Sequence, residues 1–250
     1  MPSFHHGPVE LAFLDAGEGD PIVLVHGFAS SKEANWVEPG WVTTLVAAGR
    51  RVIALDNRGH GASSKLYDPA DYNRAIMAED VRALLDHLGL SRADVMGYSM
   101  GARITANLAT VHPGRLRSIM LGGIGVRLVR GGGLPESIAR ALEAPSLGDV
   151  DDVQGRMFRA FAERTKSDLR ALAACIRGGG PSLTPEAVAT IRIPTLIAVG
   201  TRDAIAGSPQ ELAALIPGAR VLEIPDRDHM LAVGDRVYKA GVLAFLQERP

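Results

Sequence analysis

The chain has 250 residues, of which 46% are hydrophobic, and its formal net charge at pH 7 is −1. This composition excludes a strongly basic nucleic-acid-binding surface and a charged disordered tail, and it fits one large α/β domain or two small ones. The single cysteine, Cys175, excludes an internal disulfide and is expected to have a packing role. No basic segment followed by an apolar run opens the sequence, so we expect no signal peptide, no membrane association and a cytoplasmic location.

Predicted strands and helices alternate along most of the chain. After two short strands at 3–6 and 9–15, buried strands are predicted at 21–27, 50–59, 93–99, 116–123, 194–200 and 220–225. Helical spacing is found at 41–48, 73–88, 100–111, 210–216 and 236–247. The alternation implies right-handed crossovers, so we predict an α/β fold with a mostly parallel β-sheet flanked by helices.

One interval, residues 125–183, interrupts this alternation. It contains no convincing strand, but it has helical patches at 135–142, 153–164 and 168–176, and glycines cluster at both of its sides. We therefore predict a helical cap at 125–183, inserted into a core formed by 1–124 and 184–250. A longer connection between two strands of the sheet is the alternative.

A serine stands between two glycines in the stretch Gly97-Tyr-Ser-Met-Gly101, where a predicted buried strand ends and a helical pattern begins. This context is typical of a nucleophile on a sharp strand-to-helix turn, and residues without side chains on either side avoid collisions with the neighbouring strand and helix. Ligand sites in open α/β sheets lie beyond the carboxyl ends of the strands. We therefore predict that the hydroxyl of Ser99 is a nucleophile.

A serine nucleophile needs a histidine that takes its proton and a third group that orients the imidazole ring. Among the seven histidines, His229 is the best candidate, because its loop follows the last predicted strand and so lies at the carboxyl edge of the sheet. Asp203 follows the preceding strand and stands between Ser99 and His229 in the chain, as the orienting acid does in this arrangement. The rival acids Asp226 and Asp228 are expected to shape the loop or to face solvent.

Acyl transfer also needs N–H donors for the negative charge that develops on the carbonyl oxygen. The backbone N–H of Met100 is one candidate, since this residue follows the predicted nucleophile. The backbone N–H of Phe28, in the turn after strand 21–27, is the other.

Five segments, taken in chain order, resemble the α/β-hydrolase superfamily, and the likeness covers almost the whole chain. They are VLVHGF at 23–28, LDNRGHGASS at 55–64, GYSMG at 97–101, VGTRD at 199–203 and DHMLAVGD at 228–235. The resemblance implies a cap over the site, with Ser99 as nucleophile, His229 as base, Asp203 as orienting acid, and Phe28 and Met100 as oxyanion donors. It disfavours haloalkane dehalogenase and epoxide hydrolase chemistry, which uses an aspartate nucleophile.

These residues predict a cofactor-free serine hydrolase that cleaves carboxylic esters of small to medium, largely apolar acyl groups through an acyl-enzyme. The open alternatives are a lactonase or C–C bond hydrolase that uses the same triad, and a ligand receptor that retains the triad. We expect no metal, because the histidines lack ligand spacing. The expected partner is a small-molecule ester, with no nucleic acid and no membrane, and no oligomeric state is predicted.

Apolar residues near the predicted site form a possible acyl pocket. Met157, Phe158 and Phe161 recur at helical spacing within the predicted cap, and Trp36 follows the oxyanion turn; packing within the cap and the core is the alternative. Six basic residues of the predicted cap either face solvent or bind a substrate carboxylate: Arg156, Arg159, Arg164, Lys166, Arg170 and Arg177.

Overall fold

The structure, a computed structural model, describes residues 1–131 and 133–249. These residues form a sheet of eight strands in the order β1-β2-β4-β3-β5-β6-β7-β8. The pairs β1–β2 and β2–β4 are antiparallel, and all other neighbours are parallel. The strands are β1 (Ser3–His6), β2 (Val9–Ala16), β3 (Asp20–Val25), β4 (Arg50–Leu55), β5 (Ala93–Tyr98), β6 (Leu116–Gly122), β7 (Thr195–Gly200) and β8 (Arg220–Ile224).

Ten α-helices occur in the described ranges, and none of them is long and apolar enough to cross a bilayer. A five-residue π-helix, Glu33–Val37, precedes the first. The α-helices are α1 (Trp41–Ala47), α2 (Arg74–His87), α3 (Met100–Val111), α4 (Arg127–Arg130), α5 (Glu136–Glu143), α6 (Val153–Arg164), α7 (Leu169–Gly178), α8 (Pro185–Val188), α9 (Pro209–Ala213) and α10 (Arg236–Glu248).

The central strands are mostly apolar because both faces of the sheet are covered. In β3, Val23 and Val25 belong to the apolar cluster that includes residues of α2 and α3, whereas Ile22 and Leu24 belong to a second cluster, with residues of α1 and α10, on the opposite face. Successive side chains of a strand point to opposite faces, so a strand between two helical layers has no position for exposed polar residues. The predicted α/β class with a mostly parallel sheet is confirmed.

Helices α4 to α7 occupy the interval for which no strand was expected, and its described residues contain no strand. The side chains of Ile138, Phe158 and Leu172 form a third apolar cluster, which also includes Phe28 and Tyr72 from outside the interval. This segment thus packs over the carboxyl edge of the sheet, near the turn that follows β3. The division of the chain into a core and a cap stays a prediction.

Candidate active site

Ser99 occupies a strained turn between β5 and α3. Its backbone has φ 54° and ψ −109°, in a region that residues with a side chain rarely adopt, and its N–H donates to the carbonyl of Gly122 at 2.8 Å. A Cβ atom at Gly97 would lie 2.2 Å from the carbonyl oxygen of Gly101, and one at Gly101 would lie 2.0 Å from that of Val25. The two glycines therefore allow the helix to pack directly against the strands, which presents the serine at the edge of the sheet.

His229 lies in the loop between β8 and α10 and contacts both other predicted triad residues. Its Nε2 atom is 2.9 Å from the Oγ atom of Ser99, and its Nδ1 atom is 2.7 Å from Oδ2 of Asp203. Because an ionised carboxylate only accepts hydrogen bonds, Nδ1 carries the proton in the neutral ring, and Nε2 is left to accept the serine proton. The phenol of Tyr98 donates to the carbonyl of His229 at 2.6 Å and holds its loop in place.

The carboxylate of Asp203 is fixed by the turn that follows β7. Its Oδ1 atom accepts hydrogen bonds from the backbone N–H groups of Ile205 and Ala206, at 2.8 and 2.9 Å. The side chain is fully buried, whereas its partner His229 is only slightly exposed. Oδ2 is thus directed at the imidazole ring in one orientation.

The two rival acids have other partners. Asp228 accepts hydrogen bonds from the backbone N–H groups of Met230 and Leu231, so it shapes the histidine loop. Asp226 is exposed and forms an ion pair with Arg202. Neither carboxylate contacts the imidazole of the predicted base.

The two predicted oxyanion donors line the same cavity as Ser99. Within ranges 1–131 and 133–249, the backbone N–H groups of Phe28 and Met100 have no protein acceptor. A Cβ atom built on Gly27 would lie 3.5 Å from Cβ of Ser99, so the turn that carries Phe28 passes directly beside the serine. Unpaired backbone N–H groups at such a position are available to a ligand oxygen.

A buried ion pair, which the sequence reasoning missed, supports this turn. Lys32 and Asp56 are almost fully buried, and Asp56 accepts hydrogen bonds from both Nζ and the backbone N–H of Lys32, at 2.5 and 2.8 Å. Asp56 also accepts from the N–H of Ala62, so it joins the turn after β3 to the turn after β4. Asp56 lies in the segment LDNRGHGASS at 55–64, but nothing in that segment indicates that its aspartate binds a lysine of another loop.

The cavity at this edge has a volume of about 900 Å³. Phe158 and Phe161 line it, as the sequence suggested, but Trp36 and Met157 do not. Trp36 is fully buried and packs edge to face on Trp41, at a ring distance of 6.1 Å, within the cluster on the α1 and α10 side of the sheet. Met157 is 39% exposed, because it lies on the solvent side of α6.

Most basic residues of the interval are engaged elsewhere. Arg159 donates to three backbone carbonyls at the C-terminal end of α5, and Arg177 pairs with Glu136 and Glu143. Only Arg164 of the six lines the cavity. Three further arginines, which were not predicted, also line it: Arg74, Arg103 and Arg127.

The described residues contain no group of three or more His, Cys, Asp or Glu side chains placed to hold a metal ion. The site itself provides a hydroxyl that is hydrogen-bonded to a base, with backbone N–H groups beside it.

The sequence profile of the α/β hydrolase fold family matches residues 20–179. The chain is 31% identical over 246 residues to the dihydrolipoyllysine-residue acetyltransferase component of the acetoin cleaving system of Pseudomonas putida; this match covers 92% of the chain and 64% of that protein. The putative non-heme bromoperoxidase BpoC of Mycobacterium tuberculosis is 29% identical over 244 residues, with 89% of this chain and 91% of BpoC covered.

Among solved structures, the enol-lactonase of Burkholderia xenovorans LB400 superimposes with a TM-score of 0.82 and 25% identity, over 99% of this chain and 100% of the lactonase. The fold and the sequence agree, and the chain belongs to the α/β hydrolase fold family. The resemblance found in the sequence is thereby confirmed.

Proposed function

We propose that the protein is a serine hydrolase that cleaves carboxylic esters of small to medium size through an acyl-enzyme. The observation that carries this proposal is the continuous hydrogen-bonded series from Ser99 Oγ through the imidazole of His229 to the carboxylate of Asp203, at the wall of a cavity. A cavity of about 900 Å³ falls in the range that binds small molecules.

Acylation begins when Ser99 Oγ attacks the ester carbonyl and its proton passes to Nε2 of His229. The imidazolium that forms keeps its Nδ1–H bonded to Asp203, whose negative charge stabilises it. The carbonyl oxygen becomes an oxyanion, which accepts hydrogen bonds from the N–H groups of Phe28 and Met100. Collapse of this intermediate expels the alcohol, which takes the proton from Nε2.

Deacylation repeats these steps with water as the nucleophile. Nε2 of His229 takes a proton from the water, whose oxygen attacks the acyl carbon. The tetrahedral intermediate then breaks its bond to Ser99 Oγ, and the serine recovers its proton from the histidine. The acid is released and the resting protonation states return.

In this proposal the segment 125–183 acts as the cap over the site and forms the apolar part of the acyl pocket. Phe158 packs against the ring of Phe28 at 5.9 Å, and Leu134 and Phe161 lie on the same cavity wall. An acyl chain between these side chains would bury apolar surface at about 25 cal/mol per Å².

Lactone hydrolysis is a second candidate, favoured by the likeness to an enol-lactonase over nearly the whole chain. A lactone is a cyclic ester, so the same attack by Ser99 opens its ring, and the alcohol remains attached to the acyl-enzyme.

The test is steady-state hydrolysis of p-nitrophenyl esters of increasing acyl length and of simple lactones. We expect turnover that falls by about 10⁴-fold or more in Ser99→Ala and in Asp203→Asn. The matched control is Asp226→Asn, which removes a carboxylate of the same chemistry beside the histidine loop and should retain full activity.

Two results would contradict the proposal. One is the absence of turnover with every ester and lactone, and the other is turnover that survives in Ser99→Ala. A slow single turnover, accompanied by a large rise in melting temperature when the ester binds, would indicate a receptor instead.

A further inference from the structure

Four arginines line the cavity, and no Asp or Glu does so in the described part of the chain. Arg103 lies on α3, one turn beyond the nucleophile and therefore about 5.4 Å along the helix axis. Arg74 opens α2, Arg127 opens α4 and Arg164 ends α6. Four different helices thus bring positive charge to the wall of the cavity that contains the predicted nucleophile.

Arg103 is the arginine that the surrounding backbone orients. Its Nη2 atom donates to the carbonyl of Arg127 at 2.8 Å, and its Nη1 atom donates to that of Gly131 at 3.4 Å. A guanidinium has five N–H donors, so further donors remain for a ligand. Arg103 forms no ion pair with a carboxylate of the described residues. Its charge is thus held in place by neutral carbonyls alone.

Burial, together with the nearby charges of Arg74 and Arg127, lowers the pKa of the Arg103 guanidinium to about 10. The group therefore remains charged at neutral pH, in surroundings that disfavour the charge. An anion that entered the cavity would offset both the repulsion and the lost hydration.

Arg74, the neighbour of Arg103 in the cavity wall, is only 7% exposed, and the backbone of glycine-containing segments lies close to its guanidinium. Its Nη1 atom donates to the carbonyls of Gly180 and Pro181, at 2.8 and 2.9 Å. A Cβ atom at Gly133 would lie 2.7 Å from its Nη2 atom. Glycines from the two sides of the interval, Gly133 and Gly180, therefore lie against this guanidinium.

We propose that the arginine cluster of Arg74, Arg103 and Arg127 binds a carboxylate of the substrate, so that the enzyme prefers half-esters of linear dicarboxylic acids. The inference rests on the proposed ester hydrolysis and defines its substrate class. The ester carbonyl lies at Ser99, the methylene chain packs along the apolar wall formed by Met100 and Leu134, and the far carboxylate accepts charge-assisted hydrogen bonds from Arg103.

The test compares esters that differ only at the end distant from the reacting bond. Monoethyl adipate is paired with ethyl hexanoate and monoethyl suberate with ethyl octanoate, so that in each pair a methyl group replaces the carboxylate. Acid release is followed in a pH-stat, and the ratio of kcat/KM between anionic and neutral esters is measured. Both esters of a pair use the same triad, so a general loss of activity does not change this ratio.

The ratio should fall by about 10- to 100-fold in Arg103→Gln, the loss expected when hydrogen bonds to a charged group are removed. Arg127→Gln, at an exposed position, should lower it less and serves if the first variant does not fold. The matched control is Arg130→Gln. Arg130 belongs to the same short helix as Arg127, but it pairs with Glu211 and does not line the cavity, so its ratio should equal that of the parent protein.

The outcomes separate a failure of the carboxylate site from a failure of the proposed ester hydrolysis. A parent protein that hydrolyses ethyl hexanoate but shows the same ratio as Arg103→Gln overturns the carboxylate site and leaves the ester hydrolase intact. If neither ester is hydrolysed, calorimetric titration with adipate decides. Binding that is lost in Arg103→Gln supports a carboxylate site without esterase activity, and no binding to the parent protein overturns the site.

Discussion

His60, in the turn after β4, predicts a measurable loss of stability in mild acid. The ring is fully buried, and its Nδ1 atom lies 2.9 Å from the carbonyl of Arg58, to which it donates as Nδ1–H. It packs 5.2 Å from the ring of His26 and 5.9 Å from that of Phe28, so it supports the predicted oxyanion turn. Burial, followed by the neighbouring His26, lowers the pKa of His60 to about 3.

The sign follows from proton binding. In the unfolded chain a histidine has a pKa of about 6.5 and takes up a proton as the pH falls from 7.5 to 5.5, whereas native His60 stays neutral. Because the unfolded state binds more protons, the free energy of unfolding falls with the pH. The contribution of this one residue between pH 7.5 and 5.5 is about 1.4 kcal/mol. Over these two pH units the unfolded histidine holds on average half a proton more than native His60 does.

Urea unfolding of the parent protein and of His60→Leu at pH 7.5 and 5.5 measures this contribution. The variant changes stability at both pH values, but its decrease between them should be smaller than that of the parent protein by about 1.4 kcal/mol. His26 is present in both proteins, so its own titration cancels. Equal decreases in the two proteins would contradict this prediction, because they would mean that native His60 takes up a proton as readily as the unfolded chain does.

Three further predictions concern packing and burial. Gly97→Ala should destabilise the protein by about 3 kcal/mol in urea unfolding, because its Cβ would lie 2.2 Å from a backbone oxygen of the next helix. The control is Gly114→Ala, which should change the free energy of unfolding by less than about 0.5 kcal/mol, because no atom lies within 4 Å of the added Cβ. Lys32→Met should cost about 3–5 kcal/mol, because Asp56 would remain buried without its cation, and near-native stability would contradict this. Burial raises the pKa of the Cys175 thiol to about 12. A thiol reagent at pH 8 should therefore label it only in urea, and rapid labelling of the native protein would disprove its burial.

The predicted triad could be located from the sequence because its signals are local to each residue. Ser99, Asp203 and His229 each follow an apolar run with strand character, and the parallel topology brings the carboxyl ends of such strands to one edge. The two glycines around the serine mark the same turn that the structure shows as strained. Chain order and strand ends were thus sufficient to bring these three residues together.

The rest of the site depends on contacts between distant segments. Arg74 and Arg103 lie in helices whose spacing is that of ordinary amphipathic helices, and only the crossovers bring both to the cavity. The sequence directed attention to six other basic residues, between Arg156 and Arg177, of which Arg164 alone lines the cavity. Trp36 is near the oxyanion turn in the chain, but the π-helix Glu33–Val37 carries its side chain into the core beside Trp41.

Covalent trapping shows whether Ser99 is the nucleophile. A p-nitrophenyl alkylphosphonate releases nitrophenol when a serine attacks its phosphorus, and the stable adduct can be located by peptide mass spectrometry. We predict one adduct per chain, on the peptide that contains Ser99. It should form in parallel with the loss of esterase activity and be absent from Ser99→Ala. Loss of activity with the adduct on another residue, or full activity after Ser99 has been modified, would contradict it.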